Sequence, residues 1–430
     1  MINKFKSHFK SNYLKNILKM ISGATLAQSI TILVTPLLSR LYTPDQFGDY
    51  ALYLAFVNIL TVIITLRYEH AIFIPKEDRA AFEILLATIY IVFMLTIIIL
   101  TLLLFLGNKI IVSVFPNLAG WTLYMPFSIF FFSVYNIFNN WHNRKLRYNN
   151  IIRGMLLRII LINLILILGG ILSLGSIVFL YANLLGQVFE VVYFLFIILK
   201  LDNENIRIIS FRKFRYILIR YINFPKFALF SELTNNLTAQ SPALLFGKYF
   251  GEQIVGFFTL TQRVLGLPVK LISKSTLEVF KARASYDYYN KGTCRPVLLN
   301  TLKVLTIIAI LPSIIFFLYA PDIFVFVFGA NWHEAGVYAK YLSPYFFMQF
   351  IVSPFGYILY IVEKQFYNFI WQLSLLITTI IGLSIGIYYR SPLISIIMYG
   401  IIYVILYIIY FYLSYKFSLN KNFKLKQNDI

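Results

Sequence analysis

Runs of roughly 20 apolar residues recur along nearly the whole chain, far more than a water-soluble core has room to bury. They fall near residues 18–41, 48–66, 81–106, 121–141, 153–172, 176–199, 224–247, 254–275, 297–320, 338–362, 366–389 and 392–415. A hydrocarbon core about 30 Å thick takes about 20 residues of helix, so each run is long enough to cross it. Within hydrocarbon every backbone N–H and C=O must find a partner inside the protein, which leaves helices or closed barrels. The runs are continuous instead of alternating, and a membrane barrel is thereby excluded. The expected fold is an all-α polytopic membrane protein with about 12 transmembrane helices. Composition agrees: 60% of residues are hydrophobic and 13% charged, with a mean hydropathy of +0.76.

A formal net charge of +21 would suit a nucleic-acid binder, so its placement decides. Basic residues crowd the amino-terminal tail, the segments 67–79, 144–158, 200–226 and 270–303, and the tail from Lys416. The alternate loops carry only Arg40, Lys109, Lys248, Lys340 and Arg390, and Arg263 lies within a run. That alternation is the positive-inside pattern, which predicts both termini in the cytoplasm and an even number of spans. The charge is then topological, with some affinity for anionic membrane lipid and no nucleic-acid partner. Lys4, Lys6, Lys10, Lys15 and Lys19 precede a long run containing Gln28, which reads as a retained first helix and not a signal peptide.

Residues 35–52 recur in altered form at 241–260, each time at the end of an apolar run. With single-residue gaps the copies share Pro (36 and 242), Leu-Leu (37–38 and 244–245), Tyr (42 and 249), an acid followed by Gln (45–46 and 252–253), and then Gly, an aromatic and Leu. A weaker likeness links 105–115 with 317–328. Two parallel six-helix halves follow, 1–210 and 211–430, joined at the long basic segment after residue 200 and related by a pseudo-twofold axis along the membrane normal, with a central cleft between them.

No phosphate-binding GxxxxGK[ST] loop occurs, so energy must come from a gradient or a partner. His8, His70, His142 and His333 are scattered and Cys294 is the single cysteine. No catalytic group, metal or cofactor is therefore expected. Ionisable residues inside spans are the better guide, because a charge at mid-bilayer costs about 3 kcal/mol or more and usually faces an interior cavity. Arg263 lies about 14 Å into its run and Glu232 about 12 Å into its own at 1.5 Å per residue, the two deepest charges on this reading. Arg263 is the candidate ligand for an anionic group and Glu232 the candidate ion-coupling residue; a structural ion pair between them is the alternative. Lys270 and Lys274 follow on the same helix face and extend a basic track for a phosphate. Arg40 sits in the repeated motif beside Pro36, either as a substrate contact or as an interfacial anchor. Gln28 is among several polar residues placed to bond hydroxyls or to join helices.

The stretch Ala24-Thr25-Leu26-Ala27-Gln28 leading to Pro36-Leu37-Leu38-Ser39-Arg40-Leu41-Tyr42-Thr43-Pro44 and Phe47-Gly48-Asp49-Tyr50 resembles the opening signature of Wzx-type polysaccharide flippases. These belong to the multidrug/oligosaccharidyl-lipid/polysaccharide exporter superfamily. Arg67-Tyr68-Glu69-His70-Ala71-Ile72-Phe73-Ile74-Pro75 resembles a second motif of that family, and Phe224-Pro225-Lys226 with Arg263 to Pro268 resembles the start of its second half. The resemblance implies a flippase that carries an undecaprenyl-pyrophosphate-linked oligosaccharide, for O-antigen, capsule or a related glycan, across the inner (plasma) membrane of a bacterium by alternating access. It also implies a cationic cavity and a coupling ion gradient. Arg40, Arg67 and Glu69 carry over as family positions, Arg67 grouped with the substrate contacts and Glu69 with ion coupling. Expected partners are the lipid-linked substrate, membrane lipids and polysaccharide polymerase machinery.

Two rivals share the superfamily: a cation-coupled small-molecule exporter, which favours carboxylates in its cavity, and a peptidoglycan-precursor flippase, which commonly has helices beyond twelve. A membrane glycan polymerase or acyltransferase is the enzyme-class rival. It is expected to show a large external loop or a compact catalytic cluster, and neither is visible in the sequence.

Overall fold

A computed structural model describes residues 2–107, 113–205 and 209–419, and every regular element among them is helical. The long helices are α1 (Ile2–Leu41), α2 (Pro44–Thr65), α3 (Asp78–Leu102), α4 (Met125–Arg144), α5 (Tyr148–Ile171) and α6 (Ile177–Leu201). A short α7 (Phe211–Arg220) precedes α8 (Leu229–Phe250), α9 (Glu252–Lys291), α10 (Arg295–Phe328), α11 (His333–Val352), α12 (Gln365–Tyr388) and α13 (Pro392–Phe417). Eleven helices among the described residues are long and apolar enough to span a membrane. The difference from the expected twelve is α8. At 22 residues it has the length, but Glu232, Thr234, Asn235, Asn236, Thr238 and Gln240 make it too polar to count by composition.

The chain divides into two compact units, Met1–Gln240 and Ser241–Ile430, with the division inside α8 just ahead of Pro242. The halves proposed from the repeat divide earlier, at 210/211. In the first unit α1 packs on α5, α5 on α6, and α4 on α2, α3 and α6. In the second, α11 is central, packed on α9, α10 and α13, while α12 pairs with α13.

Both copies of the repeat occupy a helix corner. In the first, Pro36 lies inside α1 and Thr43 caps α2: its hydroxyl accepts from the Gln46 N–H, and Gln46 Oε1 accepts from the Thr43 N–H at 3.0 Å. This reciprocal box satisfies two of the four donors that a helix start leaves open. In the second, Pro242 lies inside α8 and the corner turns on Gly251, whose φ of +89° is a region L side chains rarely adopt. The weaker likeness at 105–115 falls partly on 108–112, outside the described residues.

Helix α9 has 40 residues, about 60 Å at 1.5 Å per residue, so it outruns a 30 Å hydrocarbon core twofold. Its far end is held by an apolar cluster in which Phe280 and Ala284 join Cys294, Leu298, Phe355, Ile358 and Ile361. The Cys294 N–H donates to Ser418 O at 2.9 Å, fastening this end to the close of α13. Burial there pushes the Cys294 thiol up to about 11, so it packs as a small neutral hydrophobe. The segment read as a long basic loop contains α7, an amphipathic helix with Phe211 and Ile219 exposed among Arg212, Lys213, Arg215 and Arg220. That pattern suits a helix lying in the membrane interface.

Candidate functional site

Helix α2 ends in two consecutive left-handed residues, Leu66 (φ 46°) and Arg67 (φ 61°), neither of them glycine. Such residues are uncommon and each costs of order 1 kcal/mol, so the surrounding bonds must hold the turn in place. They fold the chain back into a 3-10 turn, Tyr68–Phe73, which is tied down at Tyr68, whose hydroxyl donates to Leu218 O of α7 at 2.9 Å.

The turn gathers a charged cluster around the Arg67 guanidinium. Nη1 lies 3.2 Å from Glu69 Oε1, and Nη2 lies 3.7 Å from Glu232 Oε2 of α8 and 2.6 Å from His70 Nε2. Glu69 is nearly sealed, accepts from the Thr65 hydroxyl at 3.3 Å, and its backbone carbonyl accepts from Asn140 at 3.3 Å. Glu232 is the looser partner: its side chain is 38% exposed, and its other oxygen receives only a long bond from Asn236, 3.5 Å. A guanidinium only donates, so His70 Nε2 accepts and the neutral ring carries its proton on Nδ1. Burial pushes the His70 imidazole below its ordinary value, Glu69 pulls it up, Arg67 pushes it down and Glu232 pulls it up again, with the net shift downward. One guanidinium thus faces two carboxyl groups and a neutral imidazole, and Arg67 Nε stays buried without a hydrogen-bond partner.

Of the residues nominated from the sequence, Arg67, Glu69 and Glu232 meet here. Because Arg67 sits just past the end of α2, the pairing places Glu232 in the layer where helices end. Arg40 is exposed in the last turn of α1, at the other end of the α1–α2 hairpin. The 22 residues of α2 separate it from Arg67 by about 33 Å, so the two cannot grip one phosphate together. Gln28 is half-buried on α1, about 18 Å before Arg40 along that helix. Arg263 and Lys270 belong to α9 in the second unit, Arg263 half-buried and Lys270 exposed. The Lys274 side chain lies outside the described residues.

A second group was missed. Arg158 lies about 15 Å into α5, and Glu190 lies about 20 Å from the start of α6 and 16 Å from its end, with Arg158 Nη1 3.0 Å from Glu190 Oε2. These charges, and not Glu232, share the deep middle of their helices. The signal was present, since each is a charge well inside an apolar run, but Arg158 follows Arg153 in the basic stretch 144–158 and reads with the loop cations.

Around the basic helix ends, ion pairs staple the first unit. Arg147 holds Asp202 through two bonds of 2.6 and 2.8 Å while Trp141 Nε1 donates to the same carboxylate at 2.9 Å, and Arg144 and Lys145 both hold Asp78. Among the described residues no three His, Cys, Asp or Glu side chains are grouped as metal ligands.

A protein-family model described as polysaccharide biosynthesis protein matches residues 37–337. The teichuronic acid biosynthesis protein TuaB of Bacillus subtilis (strain 168) is 25% identical over 183 residues, which is 42% of this chain and 38% of that protein. The match therefore covers well under two thirds of that relative. Among solved structures, the lipid II flippase MurJ in an inward closed conformation aligns with a TM-score of 0.72 at 15% identity, covering 93% of this chain and 87% of that one. An inward-facing multidrug resistance MATE transporter of the MOP superfamily aligns with a TM-score of 0.69 at 16% identity, covering 94% and 96%. At such identities the likeness is one of fold, and the fold is that of this superfamily's transporters.

Proposed function

The chain belongs to the polysaccharide biosynthesis protein family, and from that premise we propose that it is a flippase carrying an undecaprenyl-pyrophosphate-linked oligosaccharide to the outer leaflet of a bacterial inner membrane. The family match over residues 37–337, on a transporter fold, is the observation that carries the reading. The physical task suits it. Each glycan hydroxyl stripped of water costs several kcal/mol in hydrocarbon, whereas a polyprenyl tail can stay in lipid throughout. A protein that exposes a polar site to one side at a time removes most of that barrier without catalysing a bond change.

In this reading Arg67 receives the pyrophosphate at the membrane side that the charge pattern assigns to the cytoplasm. Glu69 is fixed by burial and by Thr65, whereas Glu232 is half-exposed and held at 3.7 Å. An incoming phosphate oxygen exchanges with Glu232 on Nη2, and arginine gains the two-point contact it makes well with phosphate. Arg40, Arg263 and Lys270 serve as anion contacts at other stages of passage and Gln28 bonds sugar hydroxyls. Glu69 and Glu232 change charge with the coupling ion.

The test is complementation of a strain lacking this chain. Arg67→Ala is expected to insert normally yet reduce surface glycan about ten- to a hundredfold, matching the ~1.5–3 kcal/mol of a charge-assisted hydrogen bond. Wild-type glycan in that variant would remove Arg67 from the substrate path. A polymerase would instead leave single repeat units on the surface, and a small-molecule exporter would leave the glycan unchanged.

A further inference from the structure

Glu190 is fully buried, and neither of its oxygens completes a well-formed hydrogen bond although Arg158 stands 3.0 Å away. The Arg158 guanidinium lies over the Tyr135 ring at 5.1 Å, and its Nε is also unpartnered. The close approach of α5 and α6 is built in: a Cβ on Gly186 would fall 2.6 Å from Ile162 and 3.2 Å from Arg158 Cγ. From Glu190 a polar line follows one face of α6, since residues 183, 187 and 190 share it. Gln187 Nε2 donates to Asn183 Oδ1 at 2.8 Å, and Asn183 Nδ2 donates to the Tyr50 hydroxyl of α2 at 2.7 Å. Gln187 Oε1, one turn from Glu190, has no partner. In the other direction the buried face is Val191, Phe194, Ile197 and Ile198, with His142 packed on Phe194. The polar line thus leads to the end of α6 predicted to face outward, and an apolar plug closes the end predicted to face the cytoplasm.

We infer that Glu190 is a proton-binding site in the middle of the first helix unit, with Arg158 as its tethered countercation, and that it couples an inward proton to transport. The inference rests on the transport reading above. The step is a simple protonation: a proton delivered by water admitted beside the polar line of Tyr50, Asn183 and Gln187 forms an O–H bond on the Glu190 carboxylate, and its ion pair with Arg158 is lost. Arginine keeps its own proton, so the buried pair passes from neutral to singly positive. A lone buried cation in a membrane interior is costly, and it is relieved when the helices part and admit water or an anion. Protonation and opening are therefore linked, each favouring the other. The titratable and charged groups around Glu190 are Arg158 from α5 and Tyr135 from α4, with His142 of α4 and Tyr193 of α6 one turn further along at Phe194, Tyr50 from α2 at the end of the polar line, and Asp202 about 18 Å away, just past the end of α6.

Infrared spectra of the purified protein in lipid nanodiscs, taken from pH 9 to pH 5, test the protonation. A protonated-carboxyl band is expected to grow as pH falls, with one component that is lost in Glu190→Gln and persists in Glu69→Gln and Glu232→Gln. The same band in Glu190→Gln as in the wild type would overturn the assignment. Because Glu190→Gln strands a buried cation and can simply misfold, the double variant Glu190→Gln with Arg158→Gln keeps the test open, as replacing a whole buried pair is far milder than breaking it. The double variant is expected to fold, to lose the pH response, and to lower surface glycan at least tenfold. Wild-type glycan from the double variant would make the pair structural only and overturn the coupling role. A deletion strain with normal surface glycan would instead overturn the transport reading, which the infrared titration does not depend on.

Discussion

At the scale of residues, a fixed carboxylate and a loose one share the Arg67 guanidinium, the arrangement that the proposed exchange with phosphate draws on. Two outcomes follow from that difference. Glu232→Gln removes the loose competitor, so the purified protein is expected to bind inorganic pyrophosphate up to about tenfold more tightly, about 1.4 kcal/mol, with Arg67→Ala abolishing the gain; isothermal titration reads both. His70 supplies a pH dependence with a definite sign. Its folded-state proton affinity is lowered, chiefly by burial, so the unfolded chain binds the extra proton and stability falls as pH drops through the ordinary histidine range near 6.5. Thermal unfolding between pH 8 and pH 5 should show that loss, and His70→Gln should reduce it. Arg67, Glu69 and Glu232 were individually legible as charges in or beside apolar runs. Their meeting was not, because it turns on left-handed Leu66 and Arg67, residue types that carry no turn signal.

Helices were the most legible elements, since a 20-residue apolar run has few other fates in lipid. What sequence patterning left out was rotation about each helix axis. Whether Arg158 and Glu190 face lipid, water or each other depends on how α5 and α6 pack, and Gly186 sets that packing without announcing it. The extension of α9 past the bilayer was hidden for a different reason: its last turns are polar enough to read as loop, and they are held as helix by the Phe280, Ala284 and Phe355 cluster. The repeated corners, in contrast, were readable in outline and differ in their physics, a side-chain capping box in one and a glycine in the other. Gly251→Val forces a β-branched residue to φ +89°, where no neighbour lies within 4 Å of the added Cβ, so the cost is backbone strain alone. A loss of about 1–3 kcal/mol is expected in unfolding measurements, while the equivalent corner at Thr43 tolerates Thr43→Ser with little change.

On the scale of the whole molecule, the excess of positive charge, the helical fold and the family match support the proposed account of a transporter that moves a charged, hydrated head group while its lipid tail stays in the bilayer. That account needs no bond-making chemistry from the protein. It requires that the lipid-linked oligosaccharide be built on the inner leaflet and become accessible outside only when this chain is present. The direct measurement is the leaflet distribution of lipid-linked glycan in spheroplasts, read by its oxidation with membrane-impermeant periodate. With the chain deleted, the glycan should accumulate in a protected pool, and restoring the chain should expose it. Glycan that is fully oxidised from outside in the deletion strain would contradict the account.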